Sequence, residues 1–254
     1  VSTPAELEVQ VQESPDELAR AAAERLVHRL SHLQSQGRTP VVVLTGGSIA
    51  VRLHRAVLDV PGVHDVDWGR IEFWWGDERY LPSDDTDRNA RQAREAFLSA
   101  LPVDPARVHE MPASDSEYGD DVEAAAAAHA EEVTRVLGAS PRFDVLMLGV
   151  GPDGHCASLF PHHPELDAAG LVVAVHDSPK APPTRISFTM HLLGQADEVW
   201  FVAAGEDKAQ AVHDAVTGSD VEAVPASGPA GRTSTSWLLD RAAASRLPGD
   251  LLAR

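Results

Sequence analysis

The chain has 254 residues, 43% of them hydrophobic, enough to bury a substantial core in one open α/β unit. It carries 21 basic against 39 acidic residues, a formal net charge of −18, which excludes the basic face needed to neutralise nucleic-acid phosphates and argues equally against an anionic membrane surface. The single cysteine, Cys156, excludes an internal disulfide and fits a reducing compartment, and no apolar run approaches the roughly 18 residues of a membrane span.

Residues 1–8 lack the basic and apolar regions of a signal peptide, so a cytoplasmic protein is expected. Ser14-Pro15-Asp16-Glu17 reads as a capping box with proline at the first helical position, and an Ala/Leu/Arg-rich stretch predicts a helix to about Gln36, stopped by Gly37. The run 41–44 predicts a strand and 48–58 a helix. A strand follows over 71–75, then helices over 88–100 and 117–137. Three more strands are expected over 143–148, 171–175 and 199–204, and a last helix over 207–216. The five apolar runs are nearly continuous rather than alternating, as in parallel strands covered on both faces. Their alternation with helices implies right-handed β-α-β crossovers and an α/β fold with a doubly wound, mostly parallel sheet carrying helices on both faces. No repeat or linker interrupts it, so one domain over 1–254 is expected.

Leu148-Gly149-Val150-Gly151-Pro152-Asp153-Gly154-His155 is the most informative segment. A buried strand ends in glycines, which let the backbone turn sharply and approach a ligand, and a histidine then stands where α/β proteins bind small molecules. Gly149, Gly151 and Gly154 also spell G-x-G-x-x-G, with Asp177 roughly 20 residues further on. A dinucleotide site, however, needs a long helix opening at the third glycine. Pro161 and Pro164 forbid one, since interior proline costs about 3 kcal/mol, and Pro152 and His155 stand where a pyrophosphate needs small residues. His155, Cys156, His162 and His163 lack the spacing of a zinc site, and a carboxylate-bound metal would have to use Asp153 and Asp77. Neither metal nor cofactor is expected. The bland alternative for His155 is a capping or core histidine.

Two further strand ends carry polar clusters. Thr45-Gly46-Gly47-Ser48 opens a helix, and its backbone N–H groups and hydroxyls make an anion cradle, although a tight turn capped by Ser48 would read the same way. Asp77 and Arg79 follow the second strand, with Arg88 and Asn89 behind them. Arg185 and Lys208 stand at later strand ends, where an acidic chain would gather cations for an anionic substrate. Each basic residue taken alone reads equally well as a solvated side chain.

Together these segments, in one order along nearly the whole chain, resemble the 6-phosphogluconolactonase family, part of a superfamily with glucosamine-6-phosphate deaminase and ribose-5-phosphate isomerase. The most specific piece is Gly151-Pro-Asp-Gly-His-Cys-Ala-Ser-Leu-Phe-Pro161. Cys156 stands where the family often has threonine, and His191 where it often has proline. Deaminases continue their histidine into Phe-Asn-Glu-Pro, whereas this chain reads Ala157-Ser-Leu-Phe-Pro161, and it has Asp77-Glu-Arg79 where deaminases have Asp-Glu-Tyr. A sugar-phosphate deaminase or isomerase is the enzyme alternative. A sugar-phosphate sensor would need a basic DNA-binding segment for which the chain has no room.

The resemblance implies a Rossmann-like fold, a monomer without cofactor, and hydrolysis of 6-phosphoglucono-1,5-lactone in the oxidative pentose phosphate pathway. His155 would take a proton from water and return it to the ring oxygen, because imidazole titrates near working pH. Asp153 would orient it, and amides of the glycine turns would hold the oxyanion. Thr45, Gly46, Gly47, Ser48, Gly154, Arg185 and Lys208 are expected at the substrate and its phosphate, with Arg79 and Arg88 less directly placed. Asp77 would face sugar hydroxyls or lock the nearby arginines, and the related deaminases leave a proton-transfer role open to it. A nucleophilic Ser158 or Cys156 has no activating partner in sequence.

Overall fold

The computed structural model describes residues 6–252; the first five residues, part of the segment read above for targeting signals, lie outside them. Six parallel strands form the main sheet in the order β1-β9-β8-β5-β2-β3. They are β1 (Glu6–Gln12), β2 (Val41–Leu44), β3 (Glu72–Trp75), β5 (Phe143–Leu148), β8 (Ala196–Ala203) and β9 (Ser234–Asp240). Side chains alternate between two cores, as the pleat requires. Val42, Leu44, Phe73, Trp75, Val145 and Met147 face α1 (Pro15–Ser35), α2 (Ser48–Val57) and α3 (Asn89–Ala96). Val43, Trp74, Leu146 and Leu148 face α4 (Val122–Leu137), α5 (Met190–Leu193) and α6 (Ala209–Val216). The expected parallel sheet with helices on both faces is what the chain forms. A short α7 (Gly249–Leu252) ends the described residues. Among those residues no helix is long and apolar enough to cross a membrane.

Two helix ends differ from expectation by more than two residues. The helix expected over 117–137 starts at Val122, because Asp121 caps it by accepting the Ala124 N–H. That expected over 88–100 breaks at Phe97, whose φ of −155° is not helical. After Gly154 no helix opens at all: Cys156 and Leu159 form a β-bridge, which removes the dinucleotide reading.

Residues 171–175 do not join the parallel sheet. As β6 (Val172–Val175) they pair antiparallel with β7 (Arg185–Phe188), which pairs with β4 (Asp77–Arg79) in a separate three-stranded sheet. Gly76 joins the two sheets: its N–H donates to Leu44 O at 3.2 Å and its carbonyl accepts from Phe188 N at 2.8 Å. The chain winds outward from β2 to β3 on one side and returns through β5, β8 and β9 on the other. The reversal leaves a crevice at the carboxyl ends of β2 and β5, where open α/β sheets hold their ligands.

Candidate active site

Thr45 Oγ1 accepts the Gly149 N–H at 3.1 Å across that crevice, tying the ends of β2 and β5 together. A cleft of about 300 Å³ opens above them, at the lower end of the range for small-molecule sites. It gathers Thr45, Gly46, Gly47, Ser48, Asp77, Arg79, His155, Arg185 and Lys208 on its walls, together with Asn89 and Lys180. Gly154, Arg88 and Asp153, all expected at the site, are not on its walls.

The cradle at β2–α2 depends on two glycines for different reasons. Gly47, at φ +95°, is the N-cap of α2 and offers no capping side chain, so Ser48 is the first helical residue rather than the cap. The first-turn amides, which lack intrahelical acceptors, are left for a ligand. Gly46 makes room: a Cβ there would lie 1.8 Å from Asn89 Oδ1.

In the turn after β5, Gly154 adopts φ +85°, and its N–H donates to Gly151 O while Gly151 N–H donates to His155 O, both at 2.9 Å. This folds Asp153 against His155, with Oδ1 and Nδ1 2.5 Å apart. The imidazole packs on Phe160, centroids 4.5 Å apart, and among the described residues Nε2 has no protein partner. Burial alone would raise the Asp153 carboxyl, but the hydrogen bond and charge of His155, with the charge of Lys180, hold it well below the usual carboxylate range. Of the glycine-turn amides expected to hold the oxyanion, three are already engaged. Gly149, Gly151 and Gly154 already donate to Thr45, His155 and Gly151.

The basic residues divide into two kinds. Arg88 is buried, and its guanidinium lies against the carbonyls of Met111, Leu81, Pro112 and Arg79. It is a structural clamp buried away from the cleft walls, which speaks against the binding role expected for it. Arg185 reaches the cleft but gives Nε to Pro182 O and Nη2 to Lys180 O and Ala181 O, leaving only Nη1, 3.5 Å from Ser158 Oγ. Lys208 pairs with Asp207 at 2.9 Å and remains partly exposed on the cleft wall. Arg79 binds Asp87 O through Nη1, and its buried Nε is without a partner.

Asp77 is buried and accepts from Ser158 Oγ at 2.6 Å, while its carbonyl accepts from Asn89 Nδ2 at 3.0 Å. Ser158 thus has the carboxylate partner that its sequence context did not suggest, but it is fully buried and props Asp77 rather than facing the cleft. Cys156 is equally buried, and burial together with the Asp77 charge pushes its thiol far above the ordinary range. Sequence reasoning missed Glu78, which accepts the N–H groups of Arg79, Asn89 and Ala90 and so anchors α3 behind the site. It also missed Lys180, whose Nζ lies 3.4 Å from Asp153 Oδ1 and 3.3 Å from His155 Nδ1. The scarcity of lysine in the sequence was a signal that could have found it.

Comparison with known proteins shows the family and the fold. Residues 13–237 match the family model described as glucosamine-6-phosphate isomerases/6-phosphogluconolactonase. The chain is 50% identical over 240 residues to a 6-phosphogluconolactonase of Streptomyces coelicolor, covering 92% of each. Its fold superposes with a TM-score of 0.79 on the crystal structure of 6-phosphogluconolactonase from Leishmania guyanensis, at 26% identity over 95% of this chain and 98% of the other. A monomeric glucosamine-6-phosphate deaminase shares the fold alone, with a TM-score of 0.78 at 20% identity over 94% and 99% of the two chains.

Proposed function

The chain belongs to the glucosamine-6-phosphate isomerase/6-phosphogluconolactonase family, and within it we propose that it hydrolyses 6-phospho-D-glucono-1,5-lactone to 6-phosphogluconate in the oxidative pentose phosphate pathway. The observation that carries this reading is His155 on the cleft wall, with Asp153 on its Nδ1 and Nε2 left for chemistry. A lactone needs an activated water and a proton for the departing ring oxygen. One imidazole does both in turn: Nε2 takes the proton as water adds to C1, and returns it as the C1–O bond breaks. Asp153 fixes the tautomer and ring orientation that this requires.

The open amides at the start of α2, the hydroxyls of Thr45 and Ser48, and the ammonium of Lys208 supply the phosphate end of the cleft. Asp77, which accepts from Ser158, takes the hydrogen bonds of sugar hydroxyls in this reading. The same reading has the enzyme act as a cytoplasmic monomer, which sedimentation of the purified protein checks.

The direct test generates the lactone from glucose 6-phosphate and follows acid release with and without the protein. A rate no faster than spontaneous hydrolysis overturns the reading. Ammonia release from glucosamine 6-phosphate, run in parallel, would reassign the chain to the deaminases.

A further inference from the structure

Only two of the 21 basic residues are lysines, Lys180 and Lys208, and both line the cleft. Everywhere else the chain uses arginine, including partly buried ion pairs such as Arg25–Glu8 and Arg29–Glu198. A guanidinium is a broad planar fork, and an ammonium is a compact point charge on a flexible stem. The two positions that depart from the chain's habit are therefore informative.

Lys180 makes a contact that the compact group suits. Its Nζ and His155 Nδ1 both approach the same atom, Asp153 Oδ1, at 3.4 and 2.5 Å, and lie 3.3 Å from each other. An ammonium has no acceptor, and Nδ1 must carry its hydrogen to bond an ionised aspartate. The lysine–histidine contact is therefore a close approach of two donors sharing one oxygen. The backbone that carries the lysine is fixed: Lys180 O accepts from Arg185 Nη2 and from Ser178 Oγ, both at 2.9 Å, and Arg185 also binds the carbonyls of Ala181 and Pro182. The other charged groups on the cleft walls are Asp77, Arg79, Arg185 and Lys208, and Arg185 also lies over the ring of Phe160, on which His155 packs.

Aspartate alone would favour the imidazolium and so strengthen the base while weakening the acid that follows. A second cation on the same carboxylate oxygen works against this. We propose that Lys180 is a positioning residue for the Asp153–His155 pair, sharing Asp153 Oδ1 with His155 Nδ1 so that the imidazolium formed on water attack readily protonates the ring oxygen. The inference rests on the lactonase reading for its chemistry. Water loses a proton to Nε2 as its oxygen bonds C1 and the carbonyl electrons move onto oxygen. On collapse the carbonyl reforms, the C1–ring oxygen bond breaks, and its electron pair takes the proton from Nε2. A lysine beside Nδ1 weights the second half of that cycle.

The test compares wild type with Lys180→Met, Lys180→Gln and Lys180→Arg. Two quantities are read: the pH profile of kcat/KM, and the NMR titration of the His155 ring in ligand-free protein, assigned against His155→Gln. In the neutral variants both the acid limb and the ring titration should move about one unit to alkaline pH. Their kcat should fall about tenfold or more with KM little changed, while Lys180→Arg should keep the titration near wild type. An unmoved ring titration in both neutral variants overturns the proposal. So does a rise in KM with kcat and profile intact, which would make Lys180 a substrate grip. The NMR arm needs no substrate, so it decides the role of Lys180 even if the wild type proves not to hydrolyse the lactone.

Discussion

A methyl group on Gly151 would sit 1.9 Å from Nδ1 of His155, and 2.3 Å from Oδ1 of Asp153. The glycine is required for space and not for its backbone angles, in contrast to Gly154 and Gly47 at φ +85° and +95°. Gly151→Ala should leave the fold intact while pushing the pair apart. Because a displacement near 1 Å can cost about 100-fold in rate, kcat should fall by about that factor with a melting temperature close to wild type. Parallel losses of stability and activity would mean that the turn itself had collapsed.

His155→Ala removes the group proposed to move both protons. Its kcat should fall between about 10² and 10⁴-fold, the usual worth of acid–base catalysis. Steady-state assays on freshly generated lactone measure this, and a loss below about tenfold would take the role away from His155. Activity should survive exhaustive chelation, and its loss would reopen a metal role for Asp77 and Asp153.

Lys208 and Arg185 should now separate, although the sequence suggested one role for both. Lys208 has its ammonium on the cleft wall, so Lys208→Ala should raise KM for the phosphorylated lactone by about tenfold, the equivalent of one modest charged contact. Its activity on unphosphorylated gluconolactone should hardly change. Arg185 instead holds three carbonyls of the 180–182 loop. Arg185→Met should cost about 3 kcal/mol of stability in urea unfolding and lower kcat as well, since buried carbonyls lose a charged donor. A pure KM effect in Arg185→Met would return it to the phosphate.

His54 gives a prediction about pH. It lies buried in α2 against Phe97, ring centroids 4.7 Å apart, with both nitrogens unpartnered. Burial draws it down from 6.5 to about 3. Between those values the unfolded chain binds a proton that the folded chain refuses, so stability is full above 6.5 and declines as the pH falls toward 3. Between pH 7.5 and 5 this one group should cost about 2 kcal/mol. Urea unfolding of wild type and His54→Leu over that range checks it: the gap should move by that amount in favour of leucine, and a constant gap would refute the assignment.

Legibility in the sequence followed burial. Val41–Leu44 and Phe143–Leu148 were readable to the residue because strands covered on both faces are continuous apolar runs. β1 was not, since an edge strand reading Glu-Leu-Glu-Val-Gln-Val-Gln alternates and looks like a solvated segment. β9 begins Ser-Thr-Ser, and its fully buried Ser236 is tolerated only because Arg25 and Glu8 bond its hydroxyl. Those partners lie far away in sequence, where no local pattern can register them. The site divides the same way. Asp153 and His155 are two positions apart and announced themselves, whereas Lys180 reaches the pair only through a loop whose shape Arg185 dictates. Arg88 misled because a basic residue past a strand looks like a ligand until its carbonyl partners are seen.

The pairing of β1 with β9 along Glu6–Gln12 and Ser234–Asp240 joins the first strand of the sheet to its last. During synthesis β1 leaves the ribosome with no neighbour to bond, and waits for some two hundred residues before its partner emerges. Strands β2, β3 and β5, at the other end of the sheet, can associate earlier, and the catalytic crevice lies among them. The order of assembly therefore runs outward from the cleft, with the edge closing last. A sheet sewn from beginning to end in this way has high contact order, and the slow phase of its refolding should be the arrival of β1 at that edge.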